Sequence, residues 1–464
     1  MVTESIKTLN LSLILMTIFV VLVSCSKTNF DLTVTSPDNE IAVEVLLKGG
    51  RAFYTVKKND LLLLDKSALD FEILNQKMTF SRFIITATER NKCDETWETV
   101  WGENKKIHNN YNELIVRLQS VENADYGMTV FFRVFNDGVG FRYEVIGKEG
   151  DSVQLVEENT EFNLTGKYTC WWIPQDFDSY ERTYQKTDLK DIKAVNTPVT
   201  MKSKENGIHL SIHEAALTDY TGMTLEKTEK GLKSVLVPWP DGIKVKSTYP
   251  MRTPWRTIQI AENAGELIES NLILNLNEPS KIEDTSWITT GKYIGIWWGM
   301  HMNIHTWHAG PNHGATTERA KAYIDFGAKH DISGLLIEGW NEGWEGFGAQ
   351  VTAQNYTKPY PDMDYEEVAR YGREKGVPVI GHHETAANVT NYIAQMEDAF
   401  DYYERLGIPA IKTGYVGDII PKGQHHHGQW MVNHYRDVVK IAAEHKIMID
   451  AHESIKTTGI SVTW

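Results

Sequence analysis

The sequence is short of positive charge and of cysteine. Its 47 Lys and Arg face 62 Asp and Glu, a formal net charge of −15 over 464 residues. Such a field repels phosphate backbones and anionic headgroups, so no nucleic-acid partner is expected. Three cysteines in a chain this long cannot make the disulfide framework of a small stapled module. A bond between two of them, Cys93 and Cys170, is permitted by export but required by nothing in the sequence. Also missing are a P-loop, a G-x-S-x-G elbow, paired Cys ligands and the H-E-x-x-H spacing of helical zinc sites, which removes the common nucleotide, serine-hydrolase and zincin schemes. No internal repeat or low-complexity tract interrupts an ordinary globular composition of 41% hydrophobic and 23% charged residues. What is abundant is aromatic: 14 Trp and 20 Tyr. Flat rings with a polar edge suit the CH-rich faces of sugars, although they also fill large β cores.

Met1 to Phe30 reads as a targeting segment. Lys7, offset by Glu4, precedes an apolar run from Leu11 to Val23 broken only by Ser12 and Thr17, too short for a membrane span. It ends in Leu22-Val23-Ser24-Cys25, which resembles the lipobox at which bacterial lipoproteins are cut and lipidated on Cys. The expectation is a signal peptide over 1–25 and an exported periplasmic or outer-membrane lipoprotein that touches membrane only through Cys25.

From 26 to 285 short alternating runs such as Ile41-Ala42-Val43-Glu44-Val45 and Phe141-Arg142-Tyr143-Glu144-Val145, separated by turns such as Asn136-Asp137-Gly138, predict a large β-sandwich. From 286 to 464 the rhythm changes. Apolar runs at Lys292–Trp298, Leu335–Ile337, Val377–Ile380, Ala410–Thr413 and Ile447–Asp450 alternate with helical patterns at Thr317–Lys329, Tyr365–Lys375, Asn391–Arg405 and Trp430–His445. This is the cadence of a parallel sheet with helices outside it. Five strands fall short of the eight of a closed (β/α)8 barrel. The fold class expected is therefore multidomain β plus α/β, a β-sandwich followed by an incomplete TIM-type barrel.

In such a sheet the strand C-termini and the loops after them form the reactive face. Those ends carry Glu338-Gly339-Trp340-Asn341-Glu342, His382-His383-Glu384, Lys412-Thr413-Gly414-Tyr415 and Ala451-His452-Glu453. Two carboxylates from separate strands, Glu384 and Glu453, supply what acid–base glycoside hydrolysis needs. A transition-metal centre of His382, Glu384, His452 and Glu453 is the rival use of these groups. The run His425-His426-His427 reads as a solvent-exposed or substrate-contacting cluster.

The stretches Val100-Trp101-Gly102-Glu103, Phe135-Asn136-Asp137-Gly138-Val139-Gly140, Thr253-Pro254-Trp255-Arg256, Glu338-Gly339-Trp340-Asn341-Glu342-Gly343-Trp344, His382-His383-Glu384-Thr385 and Ala451-His452-Glu453 occur together and in order. Together they resemble glycoside hydrolase family 97, whose similarity covers nearly the whole chain after the targeting segment. The resemblance implies an N-terminal β-super-sandwich, a catalytic (β/α)8 barrel, a C-terminal β domain, active-site calcium and exo-hydrolysis of α-glucosides such as malto-oligosaccharides, as in starch degradation. Retaining members, which look like α-galactosidases, carry a nucleophilic Asp at the end of strand four, where this chain has Gly414. That points to the inverting branch. By the same match Glu384 and Glu453 are the catalytic bases, Glu338, His382, Lys412 and His452 bind sugar, and Glu181 and Glu453 ligate calcium. The general acid and two further calcium-ligating glutamates, one of them the acid itself, are expected downstream of Trp464. This chain therefore reads as a fragment without the proton donor, with a retaining α-galactosidase relative or a non-catalytic sugar-binding remnant as alternatives.

Overall fold

A computed structural model describes residues 30–76, 79–346 and 354–463. Cys25 and the signal peptide expected over 1–25 lie outside them. Among the described residues no helix is long and apolar enough to cross a membrane.

The alternating runs of the N-terminal half form antiparallel sheets, the largest of eight and ten strands, with a third of three. In the strand Ile41–Lys48 the residues Ile41, Val43 and Val45 are buried and their neighbours less so. This is the period-two signature of a strand with one face on a core. They pack with Tyr54 and Val56 against Val116, Val130, Phe132, Val139 and Phe141 of the ten-stranded sheet. The strands Gly127–Phe135 and Gly138–Ile146 pair through the Asn136-Asp137 turn. Gly138 takes φ +150°, and a Cβ there would lie 2.3 Å from the Ile258 carbonyl, so the turn admits only glycine without a shift. Cys93 and Cys170 are both free thiols.

Within the sandwich the Thr253-Pro254-Trp255-Arg256 motif is structural. The fully buried Arg256 guanidinium donates to both oxygens of Glu158, at 2.8 and 2.6 Å, and to Glu214 Oε2 at 2.6 Å. Tyr220 and Thr160 hydroxyls satisfy the remaining Glu158 lone pairs. Lys456, from the far end of the chain, enters the same cluster 3.2 Å from Glu214 and donates to Thr197 Oγ1 and the Met223 carbonyl. Two carboxylates thus meet two cations in a buried, fully bonded set.

Five parallel strands follow, in sequential order: Tyr293–Ile296, Gly334–Ile337, Val379–Glu384, Ala410–Gly414 and Met448–Ala451. Helices Thr317–Lys329, Tyr365–Lys375, Met396–Leu406 and Gln429–Glu444 alternate with them. Gly376 and Gly407, both left-handed, end two of the helices just before the next strand. Leu335, Ile337, Val379 and Ile411 pack with the helices in one core. The alternate residues Glu338, His382, Lys412 and Asp450 face the other way. The sheet curls so far that Tyr293 of the first strand donates its hydroxyl to Asp450 of the last.

Two element boundaries differ from the sequence reading. The third strand runs on through Glu384 because its ladder with the fourth continues from Ile380↔Ala410 to Glu384↔Gly414. The helix expected over Asn391–Arg405 is two, Val389–Ile393 and Met396–Leu406.

Arg256→Met should destabilise the fold by about 3–5 kcal/mol in urea unfolding, because it strands two buried carboxylates rather than removing a neutral pair.

Candidate active site

The register of the parallel ladder decides which side chains meet. His382 pairs with Lys412 and Lys412 with Asp450, so these groups form one row across neighbouring strands. Lys412 Nζ donates to Glu338 Oε1 at 3.1 Å, and His382 Nε2 lies 3.9 Å from the same oxygen. Burial raises the Glu338 carboxyl while Lys412 opposes it. Burial lowers His382 well below its ordinary value, with the positive charge of Lys412 adding to the effect. Among the described residues the buried His382 Nδ1 atom has no hydrogen-bond partner, an open valence of the kind a bound hydroxyl fills. Its ring lies 5.8 Å from that of Trp344, which in turn stacks on Trp307 at 5.0 Å.

One level further along the strands stand Glu384 and Glu453. Glu384 Oε1 accepts the Ala386 N–H at 2.8 Å and the Val416 N–H at 3.3 Å. Glu453 Oε2 accepts the Tyr415 N–H at 3.1 Å. Consecutive amides of the loop after the fourth strand therefore serve both carboxylates, one arriving from the third strand and the other from just past the fifth. Burial pushes the Glu384 carboxyl up to about 8; the two amides oppose this and the charge of Glu453 adds to it. Glu453 itself adopts φ +59°. A β-carbon on Gly414 would lie 2.0 Å from Glu384 Oε2, so the glutamate carboxyl fills the space a side chain at 414 would need.

The sandwich closes one side of this mouth. The stretch from Asp176 to Glu181 lies against the loop of His425, His426 and His427. Asp178 accepts from His425 Nδ1 at 2.8 Å and from the His426 backbone and ring. The His427 N–H donates to the Phe177 carbonyl, and the Tyr180 hydroxyl donates to the Ser454 carbonyl at 3.4 Å. Glu181 is exposed beside Tyr180, one residue from the chain that touches the neighbour of Glu453. His452 is half-exposed, its Nδ1 3.7 Å from Glu453 Oε2.

The fold thus brings Glu338, His382 and Lys412 into direct contact and sets Glu384 and Glu453 on adjacent amides. Glu181 and His452 stand at the rim. The histidine run is not the solvent-exposed cluster expected: His426 and His427 are buried and His425 is half-buried, because the acidic stretch of the sandwich packs over them. His383 is also a core residue, its Nδ1 bonded to the Tyr392 hydroxyl. Trp340 is fully buried and stacked on Tyr365 at 4.2 Å. Sequence reasoning did not single out Asp178 or the Tyr415–Val416 peptide, and it named His426 only as one of a histidine run, because strand register and domain docking leave no local signal. The four residues of the rival transition-metal reading do not gather. Among the described residues the three that do are Asp401, Glu404 and His445, which precede the N-terminal ends of the fourth and fifth strands.

Comparison with known proteins agrees with this architecture. The Glycosyl-hydrolase 97 N-terminal model matches residues 34–279 and the Glycoside hydrolase 97 model residues 297–464. A solved glycoside hydrolase family 97 enzyme from Pseudoalteromonas sp. strain K8, in complex with acarbose, is 42% identical with a TM-score of 0.88, covering 93% of this chain and 67% of that one. A variant of that enzyme in complex with panose gives the same values. A retaining α-galactosidase of Bacteroides thetaiotaomicron is 23% identical over 93% of this chain and 66% of its own length. A probable retaining α-galactosidase of Streptomyces bingchenggensis is 23% identical over 82% and 55%. The chain thus spans about two thirds and about half of these two curated relatives. With both halves matched in order, it belongs to glycoside hydrolase family 97.

Proposed function

We propose that the chain carries the base side of an inverting, calcium-dependent exo-α-glucosidase site acting on malto-oligosaccharides, as an exported lipoprotein anchored through Cys25. The observation that carries the inverting reading is the packing of Glu384 on Gly414. By the family resemblance a retaining member brings its nucleophilic carboxylate from strand four, and here that position has neither a side chain nor room for one beside Glu384. The bond-making partner is then water. In its ionised form Glu384, with Glu453 beside it, takes the proton as the water oxygen bonds to the anomeric carbon and the glycosidic C–O bond breaks on the opposite face.

Glu338 and Lys412 offer an acceptor and a donor to sugar hydroxyls, and the unpartnered His382 Nδ1 offers a third contact. His452 supplies a ring at the rim. Exposed Trp297 and Trp298 at the end of the first strand present flat apolar faces. The complexes of the Pseudoalteromonas enzyme with acarbose and panose support an oligosaccharide as the substrate class.

The donor set also fits calcium, which prefers hard oxygen ligands. Glu181 and Glu453 are carboxylates without a Lys or Arg partner among the described residues, and the Tyr180–Ser454 bond ties their segments together. They would hold the ion, whose charge would offset the repulsion between the acidic groups of the mouth.

A retaining α-galactosidase reading follows the two curated relatives and predicts the opposite stereochemistry. α-D-Glucosyl fluoride separates the readings, because fluoride leaves without a proton donor. The full chain should release β-glucose first by NMR, and Glu384→Gln should cut turnover by at least about 100-fold. First-formed α-glucose would reject inversion, and binding of maltose without fluoride release would favour a sugar-binding remnant.

Gly414→Ala should displace the Glu384 carboxyl, lowering kcat by more than about tenfold with little change in overall melting; an unchanged kcat would show that the contact does not matter.

The buried Glu384 carboxyl also costs stability. Its folded-state value of about 8 lies above the ordinary 4.5, so the folded chain holds a proton that the unfolded chain releases between those values. Stability is lost as pH rises through this window. In chelating buffer, Glu384→Gln should melt with the unmodified chain near pH 4.5 and above it by a growing margin up to pH 8, as read by thermal unfolding.

A further inference from the structure

His426 is 5% exposed, and both of its ring nitrogens face acceptors. Nδ1 lies 3.2 Å from Asp178 Oδ1 and Nε2 lies 2.8 Å from the Tyr415 carbonyl oxygen. Neither a carboxylate nor a carbonyl can donate, so the imidazole has to carry both protons to make both bonds. The Tyr415 carbonyl belongs to the same peptide unit as the Val416 N–H, and that N–H donates to Glu384 Oε1. One planar, rigid group therefore receives a hydrogen bond from His426 at one end and gives one to Glu384 at the other.

We propose that His426 is a positioning residue for the water-activating carboxylate. Held as an imidazolium by Asp178 of the sandwich, it fixes and polarises the Tyr415–Val416 peptide, whose N–H holds Glu384 in place. The inference rests on the reading of Glu384 as the base.

The surroundings are built for this. The His426 backbone N–H donates to the same Asp178 oxygen at 2.9 Å, and His425 Nδ1 takes the other oxygen at 2.8 Å. The Tyr435 hydroxyl, from the helix Gln429–Glu444, donates to the His426 carbonyl at 3.2 Å. Burial works against the cation, yet the Asp178 and Tyr415 bonds and the charges of Asp178 and Glu453 raise the imidazole above its ordinary value. Burial likewise works against the Asp178 charge, while the two histidines hold its carboxyl well below the usual range. Glu453 and Glu338 are the carboxylates facing Glu384, and a polarised N–H donor counters their repulsion. The arrangement also explains why a histidine run on a barrel loop is covered by an acidic stretch of a different domain.

The test uses the full chain. With 15N-histidine labelling, both ring nitrogens of His426 should be protonated at neutral pH; a neutral tautomer would overturn the proposal. His426→Phe should lower kcat on α-D-glucosyl fluoride about tenfold while KM stays within about twofold. Added imidazole should restore turnover to His426→Gly, which a purely structural loss would not allow. If His426→Phe does not fold, Asp178→Asn keeps an acceptor but removes the charge, and should give the same kcat loss in smaller measure. An unchanged kcat in either folded variant, alongside a dead Glu384→Gln, rejects the positioning role alone. If Glu384→Gln stays active, the base reading falls. The hold itself is then judged by Val416 amide exchange, which should quicken about tenfold in His426→Phe at unchanged melting temperature; no change would end it.

Discussion

The site depends on two adjacent N–H groups. The amides of Tyr415 and Val416 turn toward the mouth of the parallel sheet, and each binds a carboxylate, Glu453 on one side and Glu384 on the other. A buried Glu384 and a half-buried Glu453 repel each other as they lose solvation, and fixed amide dipoles are what a protein can offer in place of water. The loop that presents them must be held, since a free loop would let the carboxylates separate.

That hold comes from outside the sheet. Two of the sandwich's contacts with the barrel act on the loops beside this pair. Asp178 grips the histidine run, and the buried set of Glu158, Arg256 and Glu214 receives Lys456 from the segment just after Glu453. Thr457 and Thr458 add bonds to His213, Ala216 and Leu217. The loops on both sides of the carboxylate pair are therefore anchored on a rigid antiparallel scaffold. The Thr253-Pro254-Trp255-Arg256 motif acts through this anchorage, with Arg256 at its centre and the Trp255 ring in contact with the guanidinium groups of Arg133 and Arg142.

Much of this was legible in the chain. Period-two burial made the strands at Ile41–Lys48 and Gly138–Ile146 readable, and the helices Thr317–Lys329 and Tyr365–Lys375 fall where their amphipathic pattern put them. The strand-end carboxylates Glu338, Glu384 and Glu453 were visible as acidic groups following apolar runs. The histidines were less readable. His382, His383, His426 and His427 are the same residue type in similar runs, yet one faces the cleft with an open nitrogen, two belong to packed surroundings and one bridges two domains.

The sequence by itself determined the order of sandwich and parallel sheet and the acidic character of the strand ends, because hydrophobic period and residue type are local properties. Only the tertiary structure decided that Glu384 lies in the space above Gly414, that consecutive amides serve two carboxylates, and that Asp178 meets His426 across 248 positions of chain. Those outcomes follow from strand register and domain docking, which depend on the summed packing of surfaces far apart in sequence and leave no pattern in any single stretch of it.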